Sequence, residues 1–157
     1  MTRTSAEKML TGLAGEYLTA ARLCMMGYMA ALTFKSFPGV DILAYSPTDG
    51  RCIALQVKTM SKAGSINLGK YPIPNDKLKD KRITVWVHVT DSTKGEADFY
   101  VSTFGQAASI AQRGHERWYK EKPETRTLEG NMVNITNPGV DLGRFKDNWK
   151  LLERATE

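Results

Sequence analysis

The sequence contains no apolar run approaching the roughly 18–20 residues that a helix needs to cross a bilayer, which excludes a helical membrane protein. Residues 1–10 carry charge and lack the apolar stretch and small-residue cleavage site of a secretory leader, so a cytoplasmic setting is expected. Cysteine is scarce: Cys24 and Cys52 are the only two, each within an apolar segment and without CxxC spacing. That argues against a disulfide framework and predicts two buried thiols in a reducing compartment. Histidine is equally scarce, with His88 and His115 alone. A histidine-rich zinc site is thereby excluded, and a Ser-His-Asp triad would have to use one of these two. Internal repeats and low-complexity segments are also missing.

What is present suits one globular α/β domain over residues 1–157, with 41% hydrophobic and 25% charged residues. The net charge is +5, and it is unevenly placed. Lys58, Lys62, Lys70, Lys77, Lys79, Lys81 and Arg82 face only Asp76 and Asp80 in that stretch, so a polyanionic partner is expected there.

Leu10, Leu13, Tyr17, Ala20, Ala21 and Cys24 recur at three- and four-residue steps, which predicts a helix over 5–26 with those residues inward. Ser5 is its expected N-cap, with Lys8 at the capping-box position, and Gly27 its stop. A strand over 28–34 follows. Residues 39–45 and 51–59 read as strands joined by a Pro- and Asp-Gly-containing turn, a β-hairpin. Residues 61–81 read as an irregular basic excursion with one helical turn near 76–79, because Pro72 and Pro74 prevent a continuous helix. Strands are expected over 83–90 and 98–102, then a helix capped by Ser102 or Thr103 and reaching Lys120. Residues 121–142 read as loop. A last helix over 142–154 docks Phe145, Trp149 and Leu152. Trp86 reads as core and His88 as structural. Arg113, His115, Arg117, Trp118, Tyr119 and Lys120 form a basic-aromatic helix end, which reads as a solvated helix with one buried Trp, the alternative being a contact to nucleic acid.

The hairpin gathers the chemistry. A four-residue turn, 47–50, pairs Ser46 with Arg51 and so places Asp41 opposite Gln56, on the same sheet face as Lys58. A carboxylate, an amide oxygen and an ammonium then meet among the apolar residues Val40, Ile42, Ile53, Leu55 and Val57. An odd-length turn would send Asp41 to the other face. Charge in a central strand is costly unless paired or bound to a metal, so the residues alone leave two readings open: an Asp41–Lys58 ion pair with Gln56 beside it, or a cation site.

Pro38-Gly-Val-Asp41, the hairpin, and Gln56-Val-Lys58 resemble the PD-(D/E)XK nuclease superfamily, with glutamine in place of the second acidic residue. The preceding helix, Gly12-x-x-Gly15-Glu16-x-x-x-Ala20-Ala21-x-Leu23-x-x-x-Gly27-Tyr28, resembles its restriction-endonuclease-like and Holliday-junction-resolvase-like branches. The resemblance covers about residues 8–90. It implies an α/β, restriction-endonuclease-like core of αβββαβ type, with a mixed β-sheet flanked by helices. The implied activity is Mg²⁺-dependent endonucleolytic hydrolysis of DNA, with Mn²⁺ able to substitute. Asp41, Gln56, Lys58 and a helix-borne Glu16 form the implied catalytic set. Asp41, Gln56, the Val57 carbonyl and Glu16 are the implied metal ligands. Lys62, Lys70, Lys77, Lys79, Lys81 and Arg82 are the expected contacts to duplex or branched DNA, and a homodimer is compatible with the superfamily. The glutamine also leaves open a catalytically inactive nucleic-acid-binding protein on the same fold.

Overall fold

The computed structural model describes residues 3–34 and 38–154, so the first two residues of the segment read for a leader lie outside it. No helix among the described residues is long and apolar enough to cross a membrane. The first helix, α1 (Ser5–Met25), starts one residue earlier than expected at its cap. Thr4, not Ser5, accepts the Glu7 N–H, and the Glu7 carboxylate accepts the Thr4 N–H in return, a complete capping box.

α1 turns Gly15, Thr19, Ala20 and Leu23 inward and leaves Leu10 and Tyr17 60% and 59% exposed. The expected apolar face is therefore largely the outer one. The reason is close approach: a Cβ on Gly15 would lie 1.9 Å from Thr59 Oγ1. A helix this near a strand must present small residues to it, whatever the pull of its larger apolar ones.

Five strands form the main sheet in the order β1 (Met29–Leu32), β2 (Ile42–Tyr45), β3 (Cys52–Met60), β5 (Ile83–Asp91), β6 (Glu96–Thr103). β3 and β5 run parallel and the other neighbours antiparallel, so the sheet is mixed. Their connection holds a strand, β4 (Ile66–Lys70), and a four-residue helix, α2 (Asn75–Leu78). Side-chain alternation splits the core in two. Ile42, Leu55, Val57, Val85 and Val101 pack with Ala20 and Leu23 of α1 on one side. Met60, Trp86 and Tyr100 pack on the other beneath α3 (Phe104–Glu121), through Phe104, Ala107, Ala108 and Ala111. Trp86 is 1% exposed, and its indole N–H donates to Ser102 Oγ at 2.9 Å. α3 is capped by Thr103 and Gln106.

Three expectations fail here. Residues 61–81 and 121–142 are not simply irregular, because β4 pairs antiparallel with β7 (Met132–Ile135). Each strand buries two apolar residues, Ile66 and Leu68 against Val133 and Ile135, too few for sequence periodicity to register. The last segment is not one helix. It is two 3₁₀ turns, Gly143–Phe145 and Trp149–Leu152, preceded by a turn of helix, α4 (Pro138–Asp141), in the stretch expected as loop. Asp147 at φ 50° breaks it, where its N–H donates to Phe99 O and the Asn148 amide donates to Val101 O. Bonds to the β6 edge thus replace bonds within a helix. Phe145, Trp149 and Leu152 are buried as expected. Finally, Cys24 and Cys52 are both exposed free thiols: Cys24 lies on the outer side of α1, and Cys52 is the first residue of β3, outside both core clusters.

Candidate functional site

The site is set by hairpin register. Ile42 pairs with Leu55 and Tyr45 with Cys52, and the Ser46 N–H donates to Arg51 O at 2.8 Å. The turn thus has an even length, and Asp41, immediately before the first residue of β2, stands opposite Gln56. Its own N–H still donates to Leu55 O at 2.8 Å. One Asp41 carboxylate oxygen accepts the Val57 N–H at 2.7 Å. A charge-assisted bond of this length fixes the carboxylate and leaves its second oxygen for another partner.

Gln56 is 9% exposed, and its Oε1 is buried with no hydrogen-bond partner. Such an orphan costs about 1–3 kcal/mol, so it calls for a ligand or a reason. Lys58 is half-buried, two residues along the same strand face, and makes no ion pair with Asp41 among the described residues. In the parallel ladder Gln56 pairs with the buried Thr84, and Lys58 with Trp86.

The face opposite belongs to α1, since Thr59 points at Gly15. Glu16, half-buried, is carried by that helix. No group of three or more His, Cys, Asp or Glu among the described residues is placed to hold a metal ion. The oxygens that are gathered, one carboxylate oxygen and one orphaned amide oxygen, still fit a hard cation that keeps most of its waters.

The basic residues separate into two kinds. Lys62, Lys70, Lys77, Lys79 and Lys81 are exposed, spread from the end of β3 to the start of β5. Arg82 is held: its guanidinium forks onto the Asp80 carboxylate, and that pairing pushes the Asp80 pKa down and the Arg82 pKa up. The same guanidinium fills the space beside Gly39, where a Cβ would lie 2.0 Å from Nη1. Gly39 has φ +75°, so the Pro38-Gly39 turn and Arg82 fit together two residues before Asp41. Lys79 and Lys81 also line a cleft of about 260 Å³ with Arg113 and Arg144. Nothing in the sequence singles out Arg144, which only the fold of the last segment brings there.

Both histidines belong to the scaffold. His88 Nε2 lies 3.4 Å from Lys62 O. His115 lies 3.1 Å from Leu128 O and stacks on Trp118, with Arg126 also over the Trp118 ring; that indole is exposed rather than buried as expected, because its partners are these surface side chains and not the core.

The sequence matches no protein-family model and no curated protein sequence. In three dimensions the chain is similar to the bacterial homing endonuclease I-Ssp6803I, with a TM-score of 0.53 over 93% of both chains at 13% identity. The chain has the restriction-endonuclease-like fold. At that identity the likeness is one of architecture. It covers residues beyond 90 as well, where the sequence alone resembles nothing.

Proposed function

We propose that this protein is a metal-dependent endonuclease that hydrolyses DNA phosphodiester bonds, with Mg²⁺ as cofactor and Mn²⁺ able to replace it. One observation carries the reading: the buried, unpartnered Oε1 of Gln56 beside the Asp41 carboxylate. A divalent cation in such a site polarises a phosphoryl oxygen and lowers the pKa of an attacking water. Asp41 supplies the anionic oxygen, Gln56 its amide oxygen and Val57 its carbonyl, while Glu16 adds negative charge through water. The Val57 N–H keeps the Asp41 carboxylate in one orientation. Lys58 orients the nucleophilic water and meets the negative charge that builds on the phosphate. Lys62, Lys70, Lys77, Lys79, Lys81 and Arg82 hold the backbone of duplex or branched DNA, so binding weakens as salt rises.

A second reading, a nucleic-acid-binding protein without turnover, is favoured by the charge count, since Gln56 brings no negative charge to the Asp41 oxygens. Incubating supercoiled, linear and branched DNA with Mg²⁺ or Mn²⁺ separates the two. Cleavage by the wild type that Lys58→Ala abolishes supports the nuclease. DNA retained but uncut across the panel supports the binding protein.

A further inference from the structure

The cleft between the end of α2, α3 and the 3₁₀ turn Gly143–Phe145 carries uncompensated charge. Its volume is about 260 Å³, and four cations line it: Lys79, Lys81, Arg113 and Arg144. All four are exposed, and none makes an ion pair among the described residues. The one carboxylate there, Asp80, is spent on Arg82. Like charges around one concavity repel one another until an anion joins them.

Three elements bring these side chains together. Gln106, Ser109, Ile110 and Arg113 follow at three- and four-residue steps and so share one face of α3. Gly105 lets that helix close on the end of α2, where a Cβ would lie 2.4 Å from Leu78 O. Arg144 lies over the ring of the buried Phe145, 4.9 Å from its centroid, which steadies its guanidinium. The first N–H groups of α3 are already used: Phe104, Gly105 and Gln106 donate to Arg82 O, Asp80 O and Thr103 Oγ1. An anion in the cleft is therefore held by side chains, and guanidiniums supply the forked donors that match phosphate.

We infer that this cleft seats a phosphate of the DNA backbone, a few nucleotides from the one at Asp41, with Arg113 and Arg144 as its principal contacts. The inference rests on DNA as the ligand, which both readings above share, and not on cleavage. Arg82 links the two places, since it forks onto Asp80 in the cleft and fills the space beside Gly39, two residues before Asp41. Lys81 lies within about 11 Å of Thr84 along the chain, and Thr84 pairs with Gln56. One backbone can thus reach both. A continuous polyanion fits better than an acidic peptide, because the exposed Lys62, Lys70 and Lys77 extend the positive charge along the connection between β3 and β5.

Metal-free binding of a labelled DNA duplex in EDTA, over a series of salt concentrations, tests it. Arg113→Gln combined with Arg144→Gln is compared with Lys122→Gln combined with Lys150→Gln. The second pair removes the same charge from two exposed lysines that do not line the cleft, and circular dichroism checks both folds. The arginine pair is expected to weaken binding at least ~10-fold near physiological salt and to flatten the slope of log K against log salt by about 2, roughly one for each arginine. The lysine pair is expected to stay near wild type. A wild type that binds no DNA, equal losses in both pairs, or an arginine pair that binds as wild type does overturns the inference. If that last result came with loss of inorganic phosphate binding, the cleft would belong to a free phosphate instead. Failure of the nuclease reading shows separately, as DNA bound but uncut in Mg²⁺.

Discussion

Two antiparallel strand pairs in this molecule carry amide side chains, and they treat them in opposite ways. In the β4–β7 pair, Asn67 stands opposite Asn134 and donates to its Oδ1 at 3.2 Å; Asn67 Oδ1 in turn accepts the Gly69 N–H, and the Asn134 amide donates to Met132 O. In the β2–β3 pair, Gln56 stands opposite Asp41 with its Oε1 buried and unserved. The same functional group is balanced in one pair and left in deficit in the other. The Thr19 and Thr59 hydroxyls are buried without a partner too, but only the Gln56 oxygen stands opposite a carboxylate, which makes it the candidate for a ligand from outside the chain.

The comparison can be broken at several points. The largest effect is expected from Asp41→Asn, which keeps an acceptor for the Val57 N–H but removes the charge. Metal-dependent cleavage should fall at least ~100-fold with the fold retained, as single-turnover assays and circular dichroism would show. Next is Gln56→Met, which removes the orphaned oxygen at similar volume. It should stabilise the protein by about 1 kcal/mol in urea titration while reducing cleavage; destabilisation would mean that the amide is served after all. Asn134→Ala, the matching change in the other pair, should cost about 0.5–1 kcal/mol and leave cleavage intact. The smallest effect concerns the Asp80–Arg82 pair. Its lowered carboxylate pKa stabilises the fold above the unfolded-state value near pH 4, and that contribution is lost as pH falls through the folded value. Because Arg82 is 48% exposed, solvent screening limits it to a few tenths of a kcal/mol. Asp80→Asn should therefore flatten acid unfolding only slightly.

The same two pairs show what a sequence can disclose. The hairpin closes over a short turn whose even length fixes register, so the juxtaposition of Asp41 and Gln56 is legible from counting alone. β4 and β7 are brought together across more than sixty residues, with two inward apolar side chains each, and no local pattern announces them. The inner face of α1 misleads for another reason. Gly15 and Thr19 are weak hydrophobic signals, yet the 1.9 Å conflict a Cβ at Gly15 would create with Thr59 decides which way the helix turns. Arg82 is legible as one member of a basic run, but its seat against Gly39 follows only from β5 lying beside β3.

The central claim is that the Asp41 carboxylate and the Gln56 amide oxygen together hold a divalent cation. Calorimetric titration of the protein with Mn²⁺, wild type against Asp41→Ala, tests it most directly. The account predicts saturable binding at one site in the wild type and its loss in the variant. Equal binding by both, or none by the wild type at millimolar Mn²⁺, would contradict it.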